Sequence, residues 1–146
     1  MHRRSSKREM PNAGERLLVA DASTVVALLL DSGPSGRWAA EKTRHADLYA
    51  PSLMPFECAN VFRRHAQAGL ISDDQASQAH ADLVDLPIEF WPYEAIAARV
   101  WELRSNLTSY DAAYVAVAEL LDATVLTLDR RLSRAPGLRC RIDCRA

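Results

Sequence analysis

Four acidic residues stand where solvation alone does not explain a carboxylate. Asp21 follows the short apolar run Leu17-Leu18-Val19-Ala20, and Asp129 follows the β-branched run Thr124-Val125-Leu126-Thr127-Leu128. Glu57 is flanked by Phe56, Cys58, Ala59 and Val61. Asp111 lies in Tyr110-Asp111-Ala112-Ala113-Tyr114-Val115-Ala116-Val117-Ala118, a stretch so apolar that a helix there must be largely buried. A carboxylate on the inward side of such a helix is costly unless it is paired or metal-bound. Singly, each acid has a structural explanation, as a cap after a strand or as a complement to the positive end of a helix. Brought together, they would repel. Two unit charges about 4 Å apart cost on the order of 4 kcal/mol at an effective dielectric near 20. Either some stay protonated or a divalent cation compensates. Hard oxygen ligands without nearby His or Cys favour Mg²⁺ or Mn²⁺ over zinc. Mg²⁺ held by a few carboxylates and water is typical where phosphate is the substrate.

The elements that must position these acids alternate along the chain. The run 17–20 reads as a strand buried on both faces. Ser23 is placed to cap a helix from Thr24 to about Leu30, ended by Gly33-Pro34. A helix over 35–44 leads to a strand around 48–50, and Pro51 or Ser52 opens a long helix to about Ala68, closed by Gly69. Ser72-Asp73-Asp74-Gln75 is a capping-box pattern that starts a helix to about Val84. A strand over 86–90 is edge or irregular because of Pro87. Helices over 93–104 and 110–121 follow, the second capped by Thr108 or Ser109. The strand 124–128, a helical turn over 130–133 and a last strand over 138–142 complete the chain. Strands alternating with helices imply a three-layer α/β/α domain around a mainly parallel sheet. In such sheets ligands bind outside the carboxyl ends of the strands, where Asp21 and Asp129 point.

The 146 residues fit one domain, with 49% hydrophobic and 25% charged residues, an ordinary globular balance. The longest aliphatic run, Val25 to Leu30, is too short to span a bilayer. Residues 1–16 are polar and basic, carry no apolar centre of a secretory signal and read as a flexible arm before a domain over 17–146. Without that arm the chain is more acidic than its net charge of -1, which argues against gripping nucleic acid by net charge alone. Three cysteines, Cys58, Cys140 and Cys144, match neither a disulfide framework nor a zinc spacing, and a reducing cytoplasm is the expected setting. Cys58, inside a helical pattern, reads as a small core residue.

The chain resembles the PIN-domain ribonucleases, and within them the VapC-type toxins of toxin–antitoxin pairs. The resemblance rests on Val19-Ala20-Asp21-Ala22-Ser23, Pro55-Phe56-Glu57 with Asn60-Val61, Ser109-Tyr110-Asp111-Ala112-Ala113-Tyr114 and Thr127-Leu128-Asp129-Arg130-Arg131-Leu132, in that order over about residues 17–143. It implies a PIN-like fold and a Mg²⁺-dependent endoribonuclease, with Mn²⁺ as the alternative metal. Asp21, Glu57, Asp111 and Asp129 would form an acidic quartet in which Asp21 and Asp111 are the principal metal ligands. Ser23 and Thr127 would orient carboxylates or water. Arg63, Arg64, Arg130, Arg131 and Arg134 flank the acids in sequence and are candidates for the RNA backbone, each with a solvated helix face as its plain alternative. The resemblance further implies a tRNA, rRNA or mRNA substrate, a homodimer and a cognate antitoxin. Phe56, Val61, Phe62 and Trp38 are candidates for the antitoxin's apolar groove. The basic arm departs from the family pattern, and Met10 reads as nearer the native start.

Two other readings differ in class. An aspartyl phosphoryl-transfer domain with Asp21 as nucleophile would need a second Asp two residues on, where Ser23 stands, or a late lysine, whereas the lysines are Lys7 and Lys42. A non-catalytic scaffold on the same fold would be favoured by loss of an acid, and all four are present.

Overall fold

The computed structural model describes residues 16–145. The expected arm over residues 1–16 and the proposed start at Met10 fall outside them, Arg16 excepted. Among the described residues five strands form one parallel sheet, in the order third, second, first, fourth and fifth along the chain. These are β1 (Leu17–Ala20), β2 (Asp47–Pro51), β3 (Ile88–Trp91), β4 (Thr124–Thr127) and β5 (Arg141–Cys144). The expectation of a mainly parallel sheet is thus met in full, and helices cover it as in a doubly wound fold. The central strand β1 pairs with β2 on one side and β4 on the other. The strand order therefore reverses at β1 and β4, the switch point beyond which such folds place their sites.

The helices are α1 (Ala22–Leu30), α2 (Pro34–Thr43), α3 (Met54–Gln67), α4 (Asp73–Asp85), α5 (Tyr93–Glu102), α6 (Ser109–Leu121) and the short α7 (Arg130–Ser133). Ser72 and Gln75 form the expected reciprocal capping box at α4. Helix α6 is the hub of the core. Residues Ala112 to Ala118 are all buried, and α6 packs on β1, β2, β4 and α5. Cys58 is fully buried with Met54 and Phe62 on the inner face of α3, as expected for a core residue. Among the described residues no helix is long and apolar enough to cross a membrane.

Several boundaries differ from the sequence reading. Asp21, not Ser23, caps α1, because its carboxylate accepts the Thr24 N–H at 3.0 Å. Helix α3 begins at Met54 rather than near Ser52. Strand β2 runs to Pro51 opposite Trp91, and both the amide and the hydroxyl of Ser52 donate to the Trp91 carbonyl, at 3.0 and 3.1 Å. The last strand starts at Arg141, three residues later than expected. The segment before it is held off the sheet by Arg99 of α5 and Glu119 of α6. Arg99 donates to Glu119 at 2.6 Å and to the Gly137 carbonyl at 2.8 Å, and Glu119 accepts the Arg139 N–H at 2.7 Å. Only beyond this tether does the backbone reach β4, with Arg141 opposite Thr124. Strand β3 lies at the edge of the sheet, as Pro87 suggested, but starts at Ile88, two residues later than expected, with Pro87 outside it.

Candidate active site

Asp21 sits at the carboxyl end of β1, 7% exposed, and its backbone N–H bonds the Leu126 carbonyl of β4 at 3.1 Å. This pairing brings the ends of β1 and β4 together, so side chains separated by more than a hundred residues meet. Asp21 Oδ1 accepts the Ser23 hydroxyl at 2.6 Å and the Thr24 N–H at 3.0 Å. Asp21 Oδ2 accepts the hydroxyl of Thr127, itself fully buried. The same two hydroxyls receive backbone donors from the next loop, Leu128 N–H on Ser23 at 3.0 Å and Asp129 N–H on Thr127 at 2.9 Å. Ser23 and Thr127 thus tie Asp21 to the loop that carries Asp129. Burial pushes the Asp21 carboxyl above its ordinary range, while the bonds from Ser23, Thr127 and Thr24 oppose that shift.

Glu57 lies in the first turn of α3 and Asp111 in the first turn of α6, both half-buried. Tyr114, buried on α6, donates its hydroxyl to Glu57 Oε1 at 2.6 Å. Burial is the main cause that raises the Glu57 carboxyl; the Tyr114 bond lowers it, and the charges of Asp111 and Asp21 raise it again. Asp111 is raised first by burial, then by the charges of Asp129 and Asp21. Asp129 caps α7 through the Arg131 N–H at 2.9 Å, with the highly exposed Arg131 side chain 3.5 Å away. The acids therefore feel one another, and the four elements that carry them converge on one rim.

A cleft of about 280 Å³ opens beside Asp111 and Asp129, lined also by Asn106, Thr108, Arg131 and Leu132. Arg131 is the one candidate arginine that lines it. Arg63 instead bonds Asn60 and Gln67 and borders a separate crevice between α3 and α4. Arg64, Arg130 and Arg134 are exposed. An apolar groove of about 620 Å³ runs from Ser23 and Leu128 along Val26 and Leu30 to Val61, Leu70 and Ile71. Of the expected groove residues only Val61 lines it. Phe62 is buried in the core, Trp38 packs on Leu18, Leu48 and Leu126 across the sheet, and Phe56 is exposed.

The sequence assigns no role in the site to Tyr114 or Thr108. A Tyr three residues after an acid, in a helix otherwise of Ala and Val, was the available signal for the first. Thr108, the cap that accepts the Asp111 N–H at 3.2 Å, was legible as a cap only. Among the described residues no three His, Cys, Asp or Glu side chains are gathered closely enough to hold a metal ion as they stand.

A family model described as PIN domain matches residues 18–138. Ribonuclease VapC12 of Mycobacterium tuberculosis is 33% identical over 127 residues, covering 87% of this chain and 98% of the relative. Ribonuclease VapC1 of the same organism is 38% identical over 125 residues, covering 85% and 94%. A crystal structure of PAE2754 from Pyrobaculum aerophilum is similar with a TM-score of 0.60 at 25% identity, over 82% of this chain and 85% of that one. With a buried Asp at the switch point, three further acids around it and these relatives matched over nearly their whole lengths, the chain belongs to the PIN-domain family and groups with its VapC ribonucleases.

Proposed function

We propose that this protein is a divalent-metal-dependent endoribonuclease, the toxin of a toxin–antitoxin pair, and that Asp21, Glu57, Asp111 and Asp129 carry its reaction. The observation that supports this reading is the mutual electrostatic strain of the acids: burial and neighbouring negative charge raise Glu57 and Asp111 together. The cation seen against the quartet among the described residues is Arg131, on the exposed side of Asp129. Excess negative charge on hard oxygen donors fits a divalent cation such as Mg²⁺ or Mn²⁺. Asp21 and Asp111 would be its principal ligands, with Glu57 and Asp129 completing the site directly or through water. When bound, the ion lowers the pKa of an attacking water and offsets charge on the phosphoryl oxygens.

The chain's own residues do the positioning. Three of the roughly four acceptor sites of the Asp21 carboxylate are taken by Ser23, Thr24 and Thr127, which fixes its plane and leaves one lone-pair direction on Oδ2. Tyr114 holds Glu57 by one oxygen. Asp111 and Asp129 line the cleft with Arg131, whose exposed guanidinium suits a phosphate of the RNA backbone. The apolar groove that begins at Ser23 suits an apolar segment of an antitoxin, which would then lie next to the acids.

The test is incubation of the purified chain, freed of antitoxin, with a mixed tRNA and rRNA pool. It is run with Mg²⁺, with chelator, and with the Asp111→Asn variant. Discrete fragments that require both metal and Asp111 are the expected result. Cleavage that persists in chelator or in Asp111→Asn would overturn the assignment.

A further inference from the structure

Two large aromatic side chains are exposed immediately beside acids of the site. Phe56 precedes Glu57 in the first turn of α3 and is 80% exposed; Tyr110 precedes Asp111 in the first turn of α6 and is 64% exposed. Their positions are related. Tyr110 and Tyr114 are four residues apart on α6 and so share a face, with neighbouring Cβ atoms about 5–6 Å apart. Tyr114 reaches Glu57 with its hydroxyl, so that face looks towards the first turn of α3. Tyr110 stands one turn nearer the helix start on the same face. Phe56 belongs to the turn it overlooks. Tyr110 therefore stands towards the turn of α3 that carries Phe56 and Glu57, and both rings lie outside the core that α3 and α6 build from Met54, Cys58, Phe62 and Tyr114.

Isolated exposed apolar residues are normal, but two exposed aromatic rings in the two facing helix turns that carry Glu57 and Asp111 are not scattered. Neither ring lines the apolar groove, which lies along α1 and the Val61 and His65 face of α3 and would suit an apolar peptide. Across the acids from Glu57, Arg131 offers an exposed guanidinium. Aromatic faces next to a cationic group are how proteins hold unpaired nucleic acid, because every base has a face to stack. We propose that Phe56 and Tyr110 form a stacking platform for unpaired RNA bases adjoining the phosphate to be cleaved, an inference that rests on the ribonuclease reading above. The platform orders the strand over the carboxylates, so it contributes to binding and to the choice of cleavage position.

The test is fluorescence anisotropy of a labelled 12-nucleotide single-stranded RNA of mixed sequence with the full chain in chelator, where no cleavage competes. Phe56→Ala and Tyr110→Ala should each weaken binding roughly 5- to 150-fold. Tyr110→Phe and Phe56→Trp should retain it, and leucine at either position, apolar but without a ring, should not. A 2-aminopurine base in the strand should lose its quenching with the leucine variants. Both side chains are exposed, so thermal unfolding should match the wild type. Unchanged affinity in the alanine variants, with wild-type RNA cleavage intact, would overturn the platform and leave the nuclease reading standing. Loss of a dimer in light scattering without loss of RNA affinity would also overturn it, assigning the rings to contact between copies. A wild-type chain that neither binds nor cleaves RNA would remove both readings.

Discussion

Replacing Thr127 by Val tests whether the carboxylate network is held as described. The side chain keeps its shape and loses one hydroxyl, fully buried between β4 and the start of α7. That hydroxyl donates to Asp21 Oδ2 and accepts the Asp129 N–H at 2.9 Å. Losing a hydrogen bond to a charged group costs about 1.5–3 kcal/mol, and a partly buried amide left without its acceptor adds about 1 kcal/mol. The methyl group that takes its place recovers about 0.8 kcal/mol through apolar burial. The net loss at pH 7 is about 2–3 kcal/mol, a fall in Tm of about 5–10 °C for a domain of this size. The pH dependence carries the sharper test. Burial raises the Asp21 carboxyl and the Thr127 bond opposes that rise, so the variant's Asp21 titrates higher still. A raised folded pKa gives stability that is present below the unfolded value, near 3.8, and is lost as pH rises through the folded value. The variant therefore loses more than the wild type at neutral pH, and the gap narrows on acidification towards pH 4. Urea unfolding followed by tryptophan fluorescence in chelator, at pH 7 and pH 4 with equal m-values, measures it. A loss under about 0.5 kcal/mol at pH 7, or one of equal size at both pH values, would refute the reasoning.

Three further outcomes follow from the same geometry. Asp111→Asn should raise the urea midpoint in chelator at pH 7 while abolishing cleavage, since burial and the charges of Asp129 and Asp21 all disfavour its ionised form; the gain should shrink towards pH 4, and a lowered midpoint at pH 7 would contradict the repulsion. Tyr114→Phe keeps the buried ring and removes the donor to Glu57, costing about 1 kcal/mol by thermal unfolding and lowering Mg²⁺-dependent cleavage; full activity would free Glu57 of that tether. Gly36→Ala would place a Cβ 1.6 Å from the Asp31 carbonyl, a backbone atom that cannot yield cheaply, and should cost at least about 2 kcal/mol; an unchanged Tm would mean that α2 shifts freely on α1.

Much of this protein is legible in the order of its residues. The short apolar runs over 17–20 and 124–128 specify buried parallel strands, because both faces of such strands must be apolar. The capping box at Ser72 and the cap at Thr108 follow from local hydrogen bonding and hold in the structure. The four acids were recognisable because each stands where an apolar neighbourhood makes a carboxylate costly. That they lie near one another was implied only by the family resemblance and by the sheet's carboxyl rim, not by any local pattern. Their meeting arises because β1 lies between β2 and β4, a pairing of segments more than a hundred residues apart that no local pattern encodes. Tertiary packing also decided that Ser23 supports Asp21 instead of capping α1, that Tyr114 holds Glu57, and that Arg99 and Glu119 delay the last strand. It placed Phe62 in the core and left Phe56 at the rim, a difference set by which face of α3 meets the sheet. Local chemistry chose the elements and the acids; the distances between them come only from the chain folding back on itself, which is where burial and charge act together.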